Sequence, residues 1–316
     1  PALPLMLALC LLLGASRPSG QGFGRAAWQV LYRDPDDRLA AASLDSVQSA
    51  SVNGLAGLMA SLFAQLVDPG MVVIVSASLA LAGAAALAAS PVAGQLLRRQ
   101  RRRPGPRGSL FHEQRFRLLL GVQAMFFIAD GALLVFLLAF SRESGHPELG
   151  GALVAVFLLG AMAGSLSFGR HAGTNRDHPE TISRLLPVYV ITLLGLPVSL
   201  LWIELPLPSW SLWPILLVLL ASSGYSRRGF TPSDQIMTQE IVPLRQLNEA
   251  VALVYVGLVV GSGAGRALSG LFADVGLLSA ALLPPAAILG AFLLARRLRA
   301  VDRKASVESP CPAESE

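Results

Sequence analysis

The stretch RRQRRRPGPRGSLFHEQRFR, residues 98–117, holds eight of the 25 basic residues and contains no apolar run of membrane-spanning length. Three apolar segments precede it and six follow it. In a soluble protein, arginines around a Pro-Gly-Pro would suggest a nucleic-acid surface or a nuclear signal. The flanking hydrophobicity excludes nucleic acid as a partner. The stretch is therefore predicted to be a basic linker between two groups of membrane helices.

The composition also indicates a membrane protein. Hydrophobic residues make up 53% of the chain and charged residues only 14%, whereas an average soluble domain carries about 25% charged residues. The pI of about 9.9 does not identify a ligand, because polytopic membrane proteins concentrate arginine in their cytoplasmic loops. The predicted environment of the chain is a lipid bilayer.

Nine segments are apolar and long enough to be transmembrane helices, which makes the predicted fold class an all-α polytopic membrane protein. The opening run could also be the apolar core of a secretory signal. A charged connection with further spans follows it, and no basic segment precedes it, which favours a helix. The predicted spans are 2–16, 44–67, 71–89, 118–140, 149–169, 185–203, 210–226, 248–273 and 275–295.

The basic residues predict the orientation of these spans. When the loops are assigned alternately to two sides, 23 basic residues fall on one side and Arg142 alone on the other. The basic side includes the linker, the tail, and a loop after residue 226 that contains Arg227, Arg228 and Arg245. By the positive-inside rule this side is cytoplasmic. The expected location is the plasma membrane, with the linker and the C-terminus in the cytoplasm.

Two charged residues lie well inside predicted spans, away from the span ends, which makes them candidates for substrate binding or ion coupling. Asp130 lies fourteen residues after Phe116, and Arg266 lies eight residues before Asp274. Their similar depths allow an ion pair or a contact through one water, with Gln123 two helical turns away from Asp130. The pair could be a structural clamp, or Asp130 could exchange protons as substrate binds.

Glycines at fourfold spacing predict close contacts between helices. Gly257, Gly261 and Gly265 recur every fourth residue and continue to Ser269. Gly160 and Gly164 show the same spacing in the span 149–169. Each set occupies one face of its helix, so the backbone of a neighbouring helix can approach it closely.

The motifs of most enzyme classes are missing from the sequence. It contains no HExxH, no GxSxG, no cysteine nucleophile with a histidine, and no paired carboxylates on one face of a span. Its two cysteines, Cys10 and Cys311, lie in an apolar run and in the polar tail. We therefore expect no enzymatic activity, disulfide, metal or cofactor.

Two motifs and an internal repeat resemble the major facilitator superfamily. Leu44-Asp45-Ser46 before Gly54 recurs 203 residues later as Leu247-Asn248-Glu249 before Gly257, and parallel repeats are known in this superfamily. SVNGLAGLMA, residues 51–60, is similar to the exporter motif of its fifth helix, with Gly54 and Gly57 in place and leucine where proline is usual. GSLSFGRHAGTNR, residues 164–176, is similar to its cytoplasmic gating loop, with Gly169 and Arg170 as further gating candidates.

The resemblance implies a fold of two helix bundles, of which this chain holds helices 4–12. Because the seventh and eleventh helices of this superfamily pack close together, it also implies that Asp130 and Arg266 form an ion pair or lie within one water of each other. It divides the chain into residues 1–97 of the N-terminal bundle, the linker 98–117, a C-terminal bundle at 118–298 and a disordered tail at 299–316. The three helices that complete the first bundle are expected before residue 1. The chain resembles actinobacterial drug exporters in its alanine and arginine content.

The function implied by the resemblance is secondary active transport of small molecules, by alternating access and as a monomer. Efflux is favoured, and protons are the candidate coupling ion. Three alternatives stay open: an uptake carrier of the same fold, a membrane scaffold or inactive fragment without transport activity, and a membrane-embedded enzyme.

Overall fold

The described residues of the computed structural model are 34–66, 69–89, 110–170, 178–201, 212–227, 229–242 and 246–308. These ranges are all-helical and contain no strand, which confirms the predicted all-α class for this part of the chain. Short 3-10 helices at Leu110–His112 and Pro147–Leu149 accompany nine α-helices. The α-helices are α1 (Pro35–Leu66), α2 (Pro69–Ala89), α3 (Gln114–Glu143), α4 (Gly150–Arg170), α5 (His178–Leu201), α6 (Leu212–Ser226), α7 (Phe230–Ile241), α8 (Leu247–Val275) and α9 (Leu277–Glu308).

Five segments of the described chain are helical, long and apolar enough to cross a membrane. They are Gln114–Glu143, Pro147–Arg170, Pro179–Val198, Glu249–Val275 and Leu277–Arg303, and each contains most of one predicted span. The predicted spans 44–67 and 71–89 fall largely on α1 and α2, and 210–226 falls largely on α6, which has only 15 residues. The predicted span 2–16 lies outside the described residues.

Helix α3 lies at the centre of the bundle and packs against α8, α9, α4 and α7. Its buried apolar positions alternate at intervals of three and four residues, so they form one continuous face of the helix. This face meets α4, α5, α6 and α9 in one large apolar cluster. The members of the cluster on α3 include Leu119, Val122, Phe126, Ala129, Leu133, Phe136 and Phe140.

The glycine face of α8 packs against α3, as the spacing predicts. A Cβ on Gly261 would lie 2.7 Å from the Ala124 carbonyl oxygen, and one on Gly265 would collide with the Ile128 carbonyl. The Ser269 hydroxyl donates to the Ala132 carbonyl at 3.0 Å. The contacts keep one register, because each residue on α8 lies 137 positions after its partner on α3. The pairs are Gly257 with Leu120, Gly261 with Ala124, Gly265 with Ile128 and Ser269 with Ala132.

The glycines of α4 serve two different neighbours. Gly160 lies against the backbone of Ala221 on α6, where a Cβ would collide with the carbonyl. Gly169 faces Ser43 on α1, whose Cβ would be 2.9 Å away from a Cβ on the glycine. Gly164 is buried, and Arg170 is exposed at the end of the helix. Gly54 and Gly57 lie on α1, but their surroundings fall outside the described residues.

The segment after residue 226 was expected to be a loop, and this expectation is wrong. Residues 230–241 form helix α7, whose first eight residues include seven that are buried. Gly229 separates α6 from α7 with a φ of 75°, a value that suits glycine because it has no Cβ. The polar residues of α7 resemble a loop in the sequence, but protein groups surround them in place of water.

Helices α6 and α7 run in the same direction and form one interrupted helix. Along α4, the contacts advance with α6 from Ala221 beside Gly160 to the Tyr225 hydroxyl, which donates to Ser167 at 3.1 Å. Helix α7 runs antiparallel to α3, which itself leads through a short turn into α4. The two helices therefore run in the same direction, and the interruption between them contains Arg227 and Gly229.

Helix α9 ends later than expected. It continues to Glu308, although residues 299–316 were predicted to be a disordered tail. Arg299 contacts Glu180 of α5 at 2.9 Å, and Asp302 contacts Arg115 of α3. These ion pairs account for part of the added helix, since they hold its last turns against two neighbours. Residues 309–316 lie outside the described ranges.

Candidate functional site

Asp130 lies in the middle of α3, 16 residues after Gln114 and 13 residues before Glu143. Its side chain retains only 16% of its exposed surface. A carboxylate at the centre of an apolar helix of this length is costly to insert, by roughly 2.5 to 3.5 kcal/mol on biological insertion scales. Such a residue therefore requires a partner or a water-filled surface.

The partner of Asp130 is Arg227, at the interruption between α6 and α7. One guanidinium nitrogen, Nη1, lies 2.8 Å from Oδ2 and 3.0 Å from Oδ1 of the carboxylate. The Arg227 side chain is 15% exposed. The predicted pairing of Asp130 with Arg266 is wrong, because Arg266 is exposed on α8. Arg227 had been expected in a loop with the other cytoplasmic arginines.

Aromatic rings surround the ion pair. The rings of Phe126 and Phe230 stack with centroids 3.7 Å apart and planes 8° from parallel. The Arg227 guanidinium lies 5.2 Å from the Phe126 ring centroid and 5.6 Å from that of Phe157, within the range of cation–π attraction. The hydroxyl of buried Tyr189 lies 3.5 Å from Asp130 Oδ1, which is a weak contact for an O–H donor.

A second polar contact joins α3 and α7 on the side of the aromatic pair opposite the ion pair. The Gln123 side-chain amide on α3 donates from Nε2 to Asp234 Oδ2 on α7. Gln123 is completely buried, and Asp234 is 4% exposed. The residue predicted two turns from Asp130 therefore belongs to this contact and not to the ion pair.

The three contacts form a ladder with regular spacing. Seven residues separate Asp130 from Gln123 on α3, and seven separate Arg227 from Asp234 across the interruption. Phe126 lies between the first two and stacks on its counterpart between the second two. At about 1.5 Å per residue the outer rungs are about 10 Å apart. We call this set the α3–α7 ladder: Asp130 with Arg227, Phe126 with Phe230, and Gln123 with Asp234.

Buried oxygen atoms without a hydrogen bond occur on the helices that meet at the interruption. Within the described ranges the Ser223 and Ser233 hydroxyl oxygens and Gln123 Oε1 are buried and have no partner. Each such group costs about 1 to 3 kcal/mol unless water or a ligand pairs with it. Arg115 Nε, Gln239 Oε1 and Arg299 Nε are buried without a partner elsewhere in the described residues, so the three oxygens do not define a site by themselves.

Helix α7 also contacts α1. The Gln235 amide donates from Nε2 to Asp45 Oδ2 at 3.1 Å, and Leu39, Phe168 and Ile236 form a small buried apolar cluster. The helix that bears two rungs of the ladder is thus joined on its other side to the segment before the basic linker. A movement of α7 is expected to alter both contacts.

The described residues offer no obvious site for a metal, because no group of three or more His, Cys, Asp and Glu side chains comes together within them. The ladder residues that sequence reasoning missed are Arg227, Phe230 and Asp234. The available signal was their spacing, because positions 227, 230 and 234 are three and then four residues apart, as are positions 123, 126 and 130, with which they pair in reverse order.

No family model matches the sequence, and neither a curated protein nor a solved structure is detectably similar to it. The functional conclusion therefore depends on the arrangement of these residues.

Proposed function

We propose that the chain is a secondary active transporter of small molecules that works by alternating access, with protons as the coupling ion and efflux as its direction. The proposal includes a fold of the major facilitator type, in which α1 and α2 belong to one bundle and α3–α9 to the other. The observation that carries it is the Asp130–Arg227 ion pair at the middle of a long apolar helix, beside an interrupted helix. Charges at such depth are usually functional.

The ion pair supplies a charge switch. While Asp130 is ionised, its carboxylate holds the Arg227 guanidinium in a largely desolvated position. A proton on Asp130 removes this attraction and leaves the guanidinium without its counter-ion, which favours a rearrangement that gives it another partner. The binding of one proton can therefore select between two positions of the residues at the interruption.

The interruption makes α7 a movable element. Its 12 residues span about 18 Å, and Gly229 at their start has a backbone conformation that glycine adopts easily. The Asp130–Arg227 pair sits at one end of this segment, and the Gln235–Asp45 contact lies farther along it. A change in the charge of Asp130 that shifts α7 would therefore alter the contact of α7 with α1, across the proposed boundary between the bundles.

The close packing of α8 against α3 holds α3 in place in this mechanism. Helix α8 lies so close to α3 that a Cβ at Gly265 would collide with the Ile128 carbonyl, two residues before Asp130. Tight packing of this kind resists sliding. Helix α3 therefore stays attached to α8 while α7 moves on its other side.

The test is transport in cells that lack their major exporters. Accumulation of a panel of amphipathic dyes and antibiotics is measured with the wild-type chain, with Asp130→Asn and with the control Asp274→Asn, an exposed carboxylate near the end of α8. We expect lower accumulation with the wild type and the control. Asp130→Asn should lose the effect at equal amounts in the membrane. Higher accumulation with the wild type would instead indicate uptake.

Proton coupling is measured with the purified chain in liposomes that contain a pH-sensitive dye. A compound identified in cells should move protons through the wild type and the control, and not through Asp130→Asn. If the folded wild-type chain changes the accumulation of no compound and moves no protons, the transporter proposal is refuted, and a scaffold becomes the better interpretation.

A further inference from the structure

We infer that the substrate of this site is an acidic small molecule, with a carboxylate, sulfonate or phosphate monoester group that binds to the side of Arg227 not used by Asp130. This inference rests on the proposed function and specifies the class of substrate. Four features of the described residues support it: the hydrogen bonding of the guanidinium, its aromatic surroundings, its exposure and its position at the start of α7.

The hydrogen bonding leaves part of the guanidinium available. Both contacts with Asp130 involve Nη1 alone, which meets the two carboxylate oxygens. Within the described part of the chain, Arg227 makes no other hydrogen bond through Nε or Nη2, and neither atom is among the fully buried polar atoms without a partner. An arginine has five N–H donors in a planar fork. The Nε and Nη2 edge is thus free to bind two oxygens of an oxyanion.

Two aromatic rings limit the directions from which an anion can approach the guanidinium. Phe126 and Phe157 lie beside the group at 5.2 and 5.6 Å, and both rings are buried. The two rings occupy part of the space around the guanidinium, so an anion has to approach from a side that neither ring covers. Arg227 retains 15% of its side-chain surface, and neither Nε nor Nη2 is fully buried.

The electrostatics favour a negative group at the same place. Helix α7 begins at Phe230, three residues after Arg227, and the N-terminus of a helix carries a partial positive charge. Asp130 is the carboxylate that contacts the guanidinium, and protonation of Asp130 would remove the negative charge from that contact. Protonation of Asp130 therefore raises the affinity of Arg227 for a substrate anion, so a proton and an acidic substrate bind together and cross in the same direction. For this class of substrate, uptake driven by an inward proton gradient replaces efflux as the expected direction.

Binding of simple acids to the purified full chain in detergent tests the inference. Benzoate, benzenesulfonate and phenyl phosphate are compared with benzamide, which matches benzoate in shape and lacks its charge, at constant ionic strength. We expect the acids to bind and benzamide not to bind. Asp130→Asn should bind the acids about tenfold more tightly or better, because a competing charged partner of Arg227 is gone.

Two further variants separate the fork from general charge. Arg227→Lys keeps the charge and loses the fork, so its affinity for the acids should fall about tenfold. Arg227→Gln is combined with Asp130→Asn, since the single change leaves a carboxylate unpaired and endangers folding. The folded double variant should not bind the acids. The control Arg266→Gln removes an exposed arginine of α8 and should bind them as the wild type does.

Three outcomes would overturn the inference. They are equal binding of benzoate and benzamide, retention of acid binding in the double variant, and absence of acid binding in both the wild type and Asp130→Asn. Failure here is distinct from failure of the proposed function. A carrier of neutral or cationic compounds would still show transport that depends on Asp130, while none of the three acids would bind.

Discussion

The packing of α8 against α3 predicts a large difference between two glycines that are only two residues apart. A Cβ on Gly265 would collide with the Ile128 carbonyl, whereas a Cβ on Gly263 would meet nothing within 4 Å. Gly265→Ala therefore forces the two backbones apart, and overpacking of this kind costs about 1 to 3 kcal/mol. Gly263→Ala gains helix propensity, worth up to about 1 kcal/mol, without a collision.

The expected difference in unfolding free energy between the two variants is about 2 kcal/mol or more, a factor of roughly 30 in the ratio of folded to unfolded chain. It is measured by titrating the purified variants from mild detergent into sodium dodecyl sulfate and following helix content. Gly265→Leu and Ala264→Leu extend the comparison with a larger side chain. Equal stabilities of the Gly263 and Gly265 variants would refute the close contact between α3 and α8.

Three further predictions concern the ladder, the interruption and the orientation. Asp130→Asn and Arg227→Gln alone should each lower the unfolding free energy by about 3 kcal/mol, because each leaves the other residue desolvated and unpaired. The double variant should recover part of this loss. Additive effects in the same detergent titration would exclude a coupled pair. Gly229→Ala should lower the unfolding temperature, because its φ is 75° and its Cβ would lie 2.6 Å from Phe168 Cε2; an unchanged temperature would contradict that geometry. In intact cells, a membrane-impermeant thiol reagent should label Ser144→Cys and not the native Cys311, and the opposite pattern would reverse the orientation.

Much of the helical framework can be predicted from local patterns. The apolar segments and their lengths locate the five long helices, since backbone groups in an apolar environment must bond within their own helix. Helix α1 begins at Pro35, nine residues before the predicted span, and proline suits the first turn of a helix. The fourfold glycine spacing predicts a close helix contact, because only small residues allow it. It does not say which helix is the neighbour, and the structure shows that the neighbour is α3.

Helix α7 could not be predicted in the same way. Its sequence, FTPSDQIMTQEI, fails any test for apolar length, and the arginines before it resemble a loop that marks the cytoplasmic side. The helix forms because its polar side chains find protein partners: Asp234 meets Gln123, and Gln235 meets Asp45. Such contacts join residues more than a hundred positions apart, so no local pattern contains them.

The choice between Arg227 and Arg266 as partner of Asp130 follows from helix geometry once the glycine face is located. Successive residues of an α-helix are rotated by about 100°. Gly265 faces Ile128 on α3, so the next residue, Arg266, points well away from α3 and is exposed. One face of α8 cannot lie in backbone contact with α3 and also extend a long arginine toward it. Arg227 is not subject to this constraint, because it follows the end of α6 and does not lie on the face of a helix in backbone contact with α3. The same tight contact that excludes Arg266 thus leaves the ion pair to the opposite side of α3, where Arg227 and α7 lie.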